Sequence, residues 1–543
     1  MRYQLSFLVA ILLFSCNRKE SSLSETHLGV LHHQFSISEA ARGSFEKGLL
    51  LLHSFEYDDA GEAFEQAIQA DSSELMAYWG AVMTKYKALW GLQDLEAGRT
   101  LMEQLAPTAE ERLEYADDAL EEDFWSGLEI LFGEGELKER NNRFNQHMAS
   151  LYEKYPDNEE VAAFYSISLL WSGGTGFDKE KSLLSARIAD GILKENPNHP
   201  GALHYKIHAF DHPEFADQAQ AAADIYAGVA PDATHALHMP SHIYLALGRW
   251  NDVVSSNESS YAASVARIER KNLGDGARGF HSYAWLHYGY LQQGRYQDAA
   301  KLLSDMYDFE KRASNQSARS YLITMQNAQL AEAPDWDAGL VPNFEINTDD
   351  LGIIAQASHS FFRAHWAYQE NDPETIRTEI RDLRQKISSA KTLVGDDGIA
   401  MCSAGSTRYA PNANAINLAL VLQLQEEAFL ALLEDDPARY EEKMTQATEL
   451  ENSCEYSFGP PDIALPSFEH YGYWLLEHGR NQEALKHFKL SLERAPRRVM
   501  AMRGKIQALK SMDNLKESEE ARRELREIWS KADSEALEYI AAI

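Results

Sequence analysis

A chain of 543 residues exceeds what one hydrophobic core organises, because single cores stop growing near about 250–300 residues, so several domains or an extended repeat array are expected. Its 84 Asp and Glu against 51 Lys and Arg give a formal charge of -33, which argues against a surface built to neutralise phosphates and against nucleic acid as a partner. The simplest reading of that acidity is a soluble, self-repelling surface.

The first predicted element is an apolar run from Leu5 to Phe14 behind Arg2. It is too short to cross a bilayer as a helix and has the length of a signal-peptide core. Leu13, Ser15 and Cys16 follow in "LFSC", which resembles the lipobox of bacterial lipoproteins. That resemblance implies cleavage after residue 15, acylation of Cys16, and anchoring in the bacterial cell envelope at the outer membrane, since several acyl chains give stable attachment. Residues 16–37, with the polar "NRKESSLSE", read as a tether.

Helices are expected from residue 38 to 540, with no long strand-like alternation. The piece "FEKGLLLLHSFEYDDAGEAFEQAIQADSSELMAYWGAVM" sets small residues at Gly48, Ala60 and Ala67 around Phe64, then begins another helix at Trp79-Gly80. Residues 38–330 form a first array, with histidine-rich repeats at 200–267, and "HMPSHIYLALGRWNDVV" and "FHSYAWLHYGYLQQGRYQDAAKLL" each carry Gly-Arg-aromatic at the inter-helix turn. Stretches 106–125 and 330–350 read as irregular connections. Residues 331–464 read as irregular helical repeats with an insertion at 393–412, and 465–540 as regular pairs again, with Gly472, Gly479, Ala484, Phe488 and Pro496 in the same grammar. Beyond Cys16, only Cys402 and Cys454 remain; they are either a disulfide pair or two buried thiols.

These spacings resemble the tetratricopeptide repeat, a 34-residue helix-turn-helix unit that stacks into a solenoid. The resemblance implies an all-α, tetratricopeptide-repeat-like solenoid of antiparallel helix pairs. The pieces "HPGALHYKIHAFDHPEFA", "APDATHALHMPSHIYLALGRW" and "FGPPDIALPSFEHYGYWLLEHGR" further resemble a bacterial group of such proteins with DHP and HMPSH signatures. Lys85 and Lys87 stand where that group's pattern has histidines, and lysine is a poor metal ligand unless deprotonated.

Pro197 and Pro231 lie 34 residues apart, which starts successive repeats at Pro200 and Thr234. His204 and His238 then share position 5, His208 and His242 share position 9, Asp211 and His212 follow at 12 and 13, and His235 and His281 take position 2 of their repeats. The family resemblance places positions 2, 5, 9, 12 and 13 on the concave groove, and leaves His287, at position 8, off it. Residues i and i+4 share a helical face, and imidazole is a common ligand for zinc, copper and iron. His204, His208, His238 and His242 are therefore the candidate ligands, with Asp211, His212, His235 and His281 as second shell or groove lining. Pro240 at position 7 raises the alternative that His238 lies on a loop, and Pro213 pushes His212 out of helical conformation. HExxH, GxxxxGK[ST], GxSxG and CxxC signatures are missing. Two readings follow: a membrane-anchored scaffold that binds a peptide, protein or small ligand in a histidine-lined groove, and a metal-binding protein or metal-dependent hydrolase that uses a divalent zinc, copper or iron ion.

Overall fold

The turn joining paired helices follows one backbone solution along the chain. At Phe55, Gly248, Gly294, Asn371, Asp435, Gly479 and Asp513 the residue after the first helix takes a left-handed φ between 55° and 72°. The next amide reaches back five residues: Glu56 N donates to the Leu51 carbonyl at 3.0 Å, Arg295 N to Tyr290 at 2.9 Å, and Asn514 N to Leu509 at 2.9 Å. This is the Schellman closure, which satisfies carbonyls orphaned at a helix end. Glycine, asparagine and aspartate accept the conformation at low cost. Phe55 is the one bulky residue among these seven turn positions.

In the computed structural model, which describes residues 27–33, 35–172, 176–332, 342–395 and 409–542, these turns build an all-α, tetratricopeptide-like array of antiparallel helix pairs. Pairs such as Glu39–His53 with Tyr57–Ala70, Phe280–Gln292 with Tyr296–Ala313, and Val499–Ser511 with Leu515–Ile528 stack in chain order. Glycines set the spacing. A Cβ on Gly80 would stand 2.2 Å from the Phe64 ring, and one on Gly504 would stand 2.2 Å from Phe488, so each phenylalanine fills the space that a glycine vacates between neighbouring pairs.

The array curls until distant helices touch. Helix Glu39–His53 meets helix Pro200–Ala209 at Gly201, where a Cβ would lie 2.4 Å from His53 Nδ1. At the far end Trp250 Nε1 donates to the Arg497 carbonyl at 2.9 Å, and Trp529 Nε1 donates to Gln292 at 3.1 Å. One continuous apolar core consequently holds residues from Leu28 to Ala299 together with Val499, Leu525, Trp529 and Ile540. Ala413–Leu433 is, among the described residues, the one helix long and apolar enough to cross a membrane, and most of it is buried within the protein.

Two expectations change. The stretch 106–125 carries a short helix, Ala109–Leu113, and the start of another, Ala119–Leu131. Thr108 and Glu111 form a reciprocal capping box, and Asp118 accepts from the Leu120 and Glu121 amides. Tyr86–Lys87 pairs antiparallel with Leu92–Gln93, a two-residue ladder closed around Gly91, whose φ is 61°. Residues 342–350 are irregular, as expected. Cys16, Cys402 and most of the 393–412 insertion lie outside the described residues. Cys454 is buried, its thiol donates to the Leu450 carbonyl at 3.3 Å, and burial raises its pKa to about 11.

Candidate metal centre

The first helices of three successive pairs supply six clustered imidazoles. Pro200 opens Pro200–Ala209 at its first turn, where a missing amide costs nothing, and His204 and His208 rise one turn apart on one face. The second helix is bent at Pro240, not interrupted. Thr234–His238 and Pro240–Ala246 meet at Met239, whose φ of -53° and ψ of -36° are helical. His238 therefore lies on a helix with His235 and His242. His281 comes from Phe280–Gln292.

The six divide into two triads whose ligating nitrogens lie within 4.8 Å of one another: His204, His208 and His235 in one, His238, His242 and His281 in the other. Each triad is the same unit, positions 5 and 9 of one repeat with position 2 of the next. His235 and His281, expected as groove lining, thus complete the two sets, and the four residues at positions 5 and 9 serve two sites instead of converging on one. The triads adjoin, with ring centroids 5.9 Å apart for His208 and His242 and 6.0 Å for His235 and His238.

Outer partners hold these rings by Nδ1. His204 Nδ1 donates to the His53 carbonyl at 2.7 Å, and His242 Nδ1 to Asp211 Oδ2 at 2.6 Å. His238 Nδ1 lies 2.6 Å from Asn257 Oδ1, and the Asn257 amide nitrogen is occupied by the Val253 carbonyl at 2.8 Å, so the oxygen faces the ring and His238 Nδ1 donates. These contacts leave the Nε2 lone pairs of His204, His238 and His242 free of a hydrogen. His204 Nε2 and His208 Nε2 lie 3.1 Å apart, and His238 Nε2 and His242 Nε2 lie 3.2 Å apart. His235 Nε2 is buried with no hydrogen-bond partner among the described residues, while its backbone amide donates to Glu56 Oε1 at 2.7 Å. Burial, reinforced by neighbouring imidazoles, pushes His204, His208, His235 and His238 well below the ordinary histidine pKa. Burial likewise raises Glu56 to about 7, against the pull of the His235 amide.

Aromatic rings wall both triads. Phe55 lies 4.3 Å from the His204 ring and 5.8 Å from His208 and His235. Trp285 lies 4.9 Å from His238 and 4.4 Å from His242. His281 Nδ1 is 2.9 Å from the Tyr321 hydroxyl. His212 joins neither triad: it stacks on Phe177 at 4.8 Å and its Nδ1 accepts the Glu214 amide. His287 is buried away from both and contacts Gln329 Oε1 at 2.9 Å. Lys87 lies 5.7 Å from the Tyr57 ring, which stacks on Phe55, so it sits at the rim of the first triad and supplies no ligand.

A third cluster was not apparent from the repeats. His53 Nε2 meets Glu160 Oε2 at 2.8 Å, His199 Nε2 lies 3.4 Å from Glu160 Oε1, and all three side chains are fully buried. Burial alone would raise Glu160, but His53 and His199 outweigh it and hold the carboxylate well below its usual range. Here each imidazole Nε2 faces a carboxylate, His53 Nδ1 bonds the Tyr205 hydroxyl, and His199 Nδ1 caps its helix by accepting from Ala202. The cluster is a buried strut under His204, whose Nδ1 donates to the His53 carbonyl, and within it Glu160 Oε1 and His199 Nε2 lack a hydrogen-bond partner among the described residues. The Leu-His-Ser end of the first helix was its only signal in the sequence.

No family model matches the chain, and no curated protein matches it. Solved structures align over most of its length at low similarity. They include the human IFIT1 dimer with m7Gppp-AAAA, at 10% identity over 91% of this chain and 96% of that one with a TM-score of 0.36. The APC/C hetero-tetramer Cut9-Hcn1 aligns at 11% identity over 89% and 79%, TM-score 0.35, and Ypp1 at 10% identity over 90% and 87%, TM-score 0.37.

Proposed function

We propose that this chain is a metal-binding helical-repeat protein that holds a transition-metal ion, zinc, copper or iron, on each of two tandem histidine triads in its concave groove. The supporting observation is the His238–His242 pair: both Nδ1 hydrogens are committed outward, so two Nε2 lone pairs meet at 3.2 Å. Such a contact is repulsive unless a cation lies against both. Neutral imidazoles oriented through Nδ1 by a carboxylate, an amide oxygen and a backbone carbonyl are the usual outer support of metal ligands. Asp211 and Asn257 are thus positioning residues.

The peptide- or protein-binding scaffold remains the second reading, supported by the extended surface that stacked helix pairs present. The lipobox-like "LFSC" supports attachment at the envelope through Cys16. Cys16→Ser should move the protein from the membrane fraction to the soluble one.

Elemental analysis of the purified full-length chain tests the metal reading. Near two equivalents of zinc, copper or iron are expected, falling by about one in a His242→Ala variant that keeps its helical circular dichroism. No metal after incubation with each ion would overturn the reading and favour the scaffold.

A further inference from the structure

The groove has a third slot, built by the same repeat positions and stripped of histidine. In the helix Phe280–Gln292, position 5 is Ala284 and position 9 is Tyr288. Where the two preceding repeats place imidazoles, this one opens a cavity of about 350 Å³. Ala284 and Tyr288 form one wall, Ser320 and Thr324 of the next first helix another, and Pro460 and Asp462 cover it. The slot borders the second triad, because Tyr321, beside Ser320, contacts His281 Nδ1, and Trp285, beside Ala284, packs on His238 and His242.

The polar lining combines the Ser320, Thr324 and Ser358 hydroxyls and the Asn327 amide, whose NH2 is taken up by the Ile323 and Ser358 carbonyls, with two groups that accept, Asp462 and His287. His287 lines it with 0% of its surface exposed. Its Nε2–H is directed to Gln329 Oε1 at 2.9 Å, which leaves Nδ1 as a lone pair, and that buried atom has no partner among the described residues. Ser320 Oγ is likewise buried and unpartnered. Among the described lining residues Asp462 brings the one carboxylate, steadied by the Ser457 hydroxyl at 2.7 Å, and none is a lysine or arginine. The remaining walls are aliphatic side chains, two prolines and the rings of Tyr288 and Tyr409. A cavity whose described lining offers a carboxylate, an orphaned imidazole acceptor and aromatic faces complements an ammonium group on an apolar body.

We infer that this cavity is a binding site for a small organic amine, held at its ammonium end by Asp462 and the His287 acceptor and along its apolar body by Ala284, Tyr288 and the proline cover. The site is independent of whether metal occupies the triads.

Calorimetric titration of the full chain with phenethylamine, and with phenethyl alcohol and phenylacetate as uncharged and anionic counterparts, tests it. The amine should bind at least tenfold more tightly than the alcohol, and phenylacetate should not bind. Asp462→Asn should reduce the amine preference at least tenfold while leaving the alcohol unchanged, and Ala284→Leu should abolish binding of both by filling the slot. Retained metal content and helical signal show that each variant is folded. Absence of amine binding to the wild type, equal binding of amine and alcohol, or an affinity indifferent to Asp462→Asn would overturn the proposal. Failure of the wild type to take up zinc, copper or iron with amine binding intact would overturn the metal reading alone.

Discussion

His238 Nε2 and His242 Nε2 face each other at 3.2 Å with the opposite nitrogen of each ring already donating, to Asn257 and to Asp211. A bound cation converts that repulsion into two coordinate bonds, so folding and metal binding are linked. At a free ion concentration one hundred times Kd, each site should add about 2.7 kcal/mol to stability. His242→Ala should lose one such increment on top of a cost, present in zinc and in chelator alike, from leaving buried Asp211 without its partner. Thermal unfolding with zinc and with chelator, for both proteins, measures this; an equal drop in both conditions would mark His242 as packing alone.

Asp211 touches no ligand nitrogen that would bind metal, yet it fixes the ring that does. Asp211→Asn keeps the size of the side chain and discards the charge that strengthens the Nδ1 contact. Outer-partner changes of this kind typically cost about 10- to 100-fold in metal affinity. Competition with a chromophoric chelator should place the loss in one of two binding steps, with the His204 triad unaffected.

Much of this arrangement is legible in sequence because the repeat is both a structural and a chemical period. Gly48, Phe64 and Gly80 announce the packing of one helix pair on the next, and the ring contacts at Gly80 and Gly504 explain why glycine is required there. The same 34-residue register pairs His204 with His238 and His208 with His242. What the register cannot convey is how far one repeat is shifted against the next. That offset brings position 2 of each repeat beside positions 5 and 9 of the one before, and turns His235 and His281 from lining into members of the triads. Phe55, Glu160 and Asn257 were hidden for a different reason. They reach the site through the curl of the array and through second helices, contacts between residues far apart in the chain that no local spacing encodes.

Phe55 combines two opposed demands. Its left-handed φ of 57° disfavours any side chain, while its ring covers three imidazoles of the first triad. Phe55→Gly and Phe55→Ala remove the same wall, but only glycine relieves the backbone. Phe55→Gly should be more stable than Phe55→Ala by about 1 kcal/mol in urea unfolding, and both should weaken metal binding at the first triad alike. Equal stabilities would show that the turn bears no strain.

Arg498 ties the returning C-terminal pairs to the middle of the array. Its fully buried guanidinium contacts Glu469 and Glu332, each at 2.6 Å, and donates to the Tyr288 hydroxyl and the Ala464 carbonyl. Removing one partner of a buried ion network strands the others without water, at a cost of about 3–5 kcal/mol. Arg498→Met should therefore lower stability by that order at pH 7.5. The loss should shrink in Arg498→Met/Glu469→Gln, because the double variant strands one buried carboxylate, Glu332, instead of two; a larger loss in the double variant would refute this account.

Glu426 poses the reverse case, a buried acid with no cation. Both carboxyl oxygens are buried without a hydrogen-bond partner among the described residues, and burial, aided by Glu379 and Glu427, pushes its pKa well above the ordinary value of 4.5. A group whose folded pKa is raised holds its proton in the native state while the unfolded chain releases it. Its contribution is full below the unfolded pKa and is lost as pH rises toward the folded one. Wild-type stability should thus decline from about pH 4.5 upward by the share that Glu426 contributes. Glu426→Gln, which cannot ionise, should remove that share, matching the wild type at pH 4 and exceeding it at pH 8. Denaturant midpoints at the two pH values decide the matter: parallel profiles would mean that Glu426 ionises in the fold as freely as in the unfolded chain.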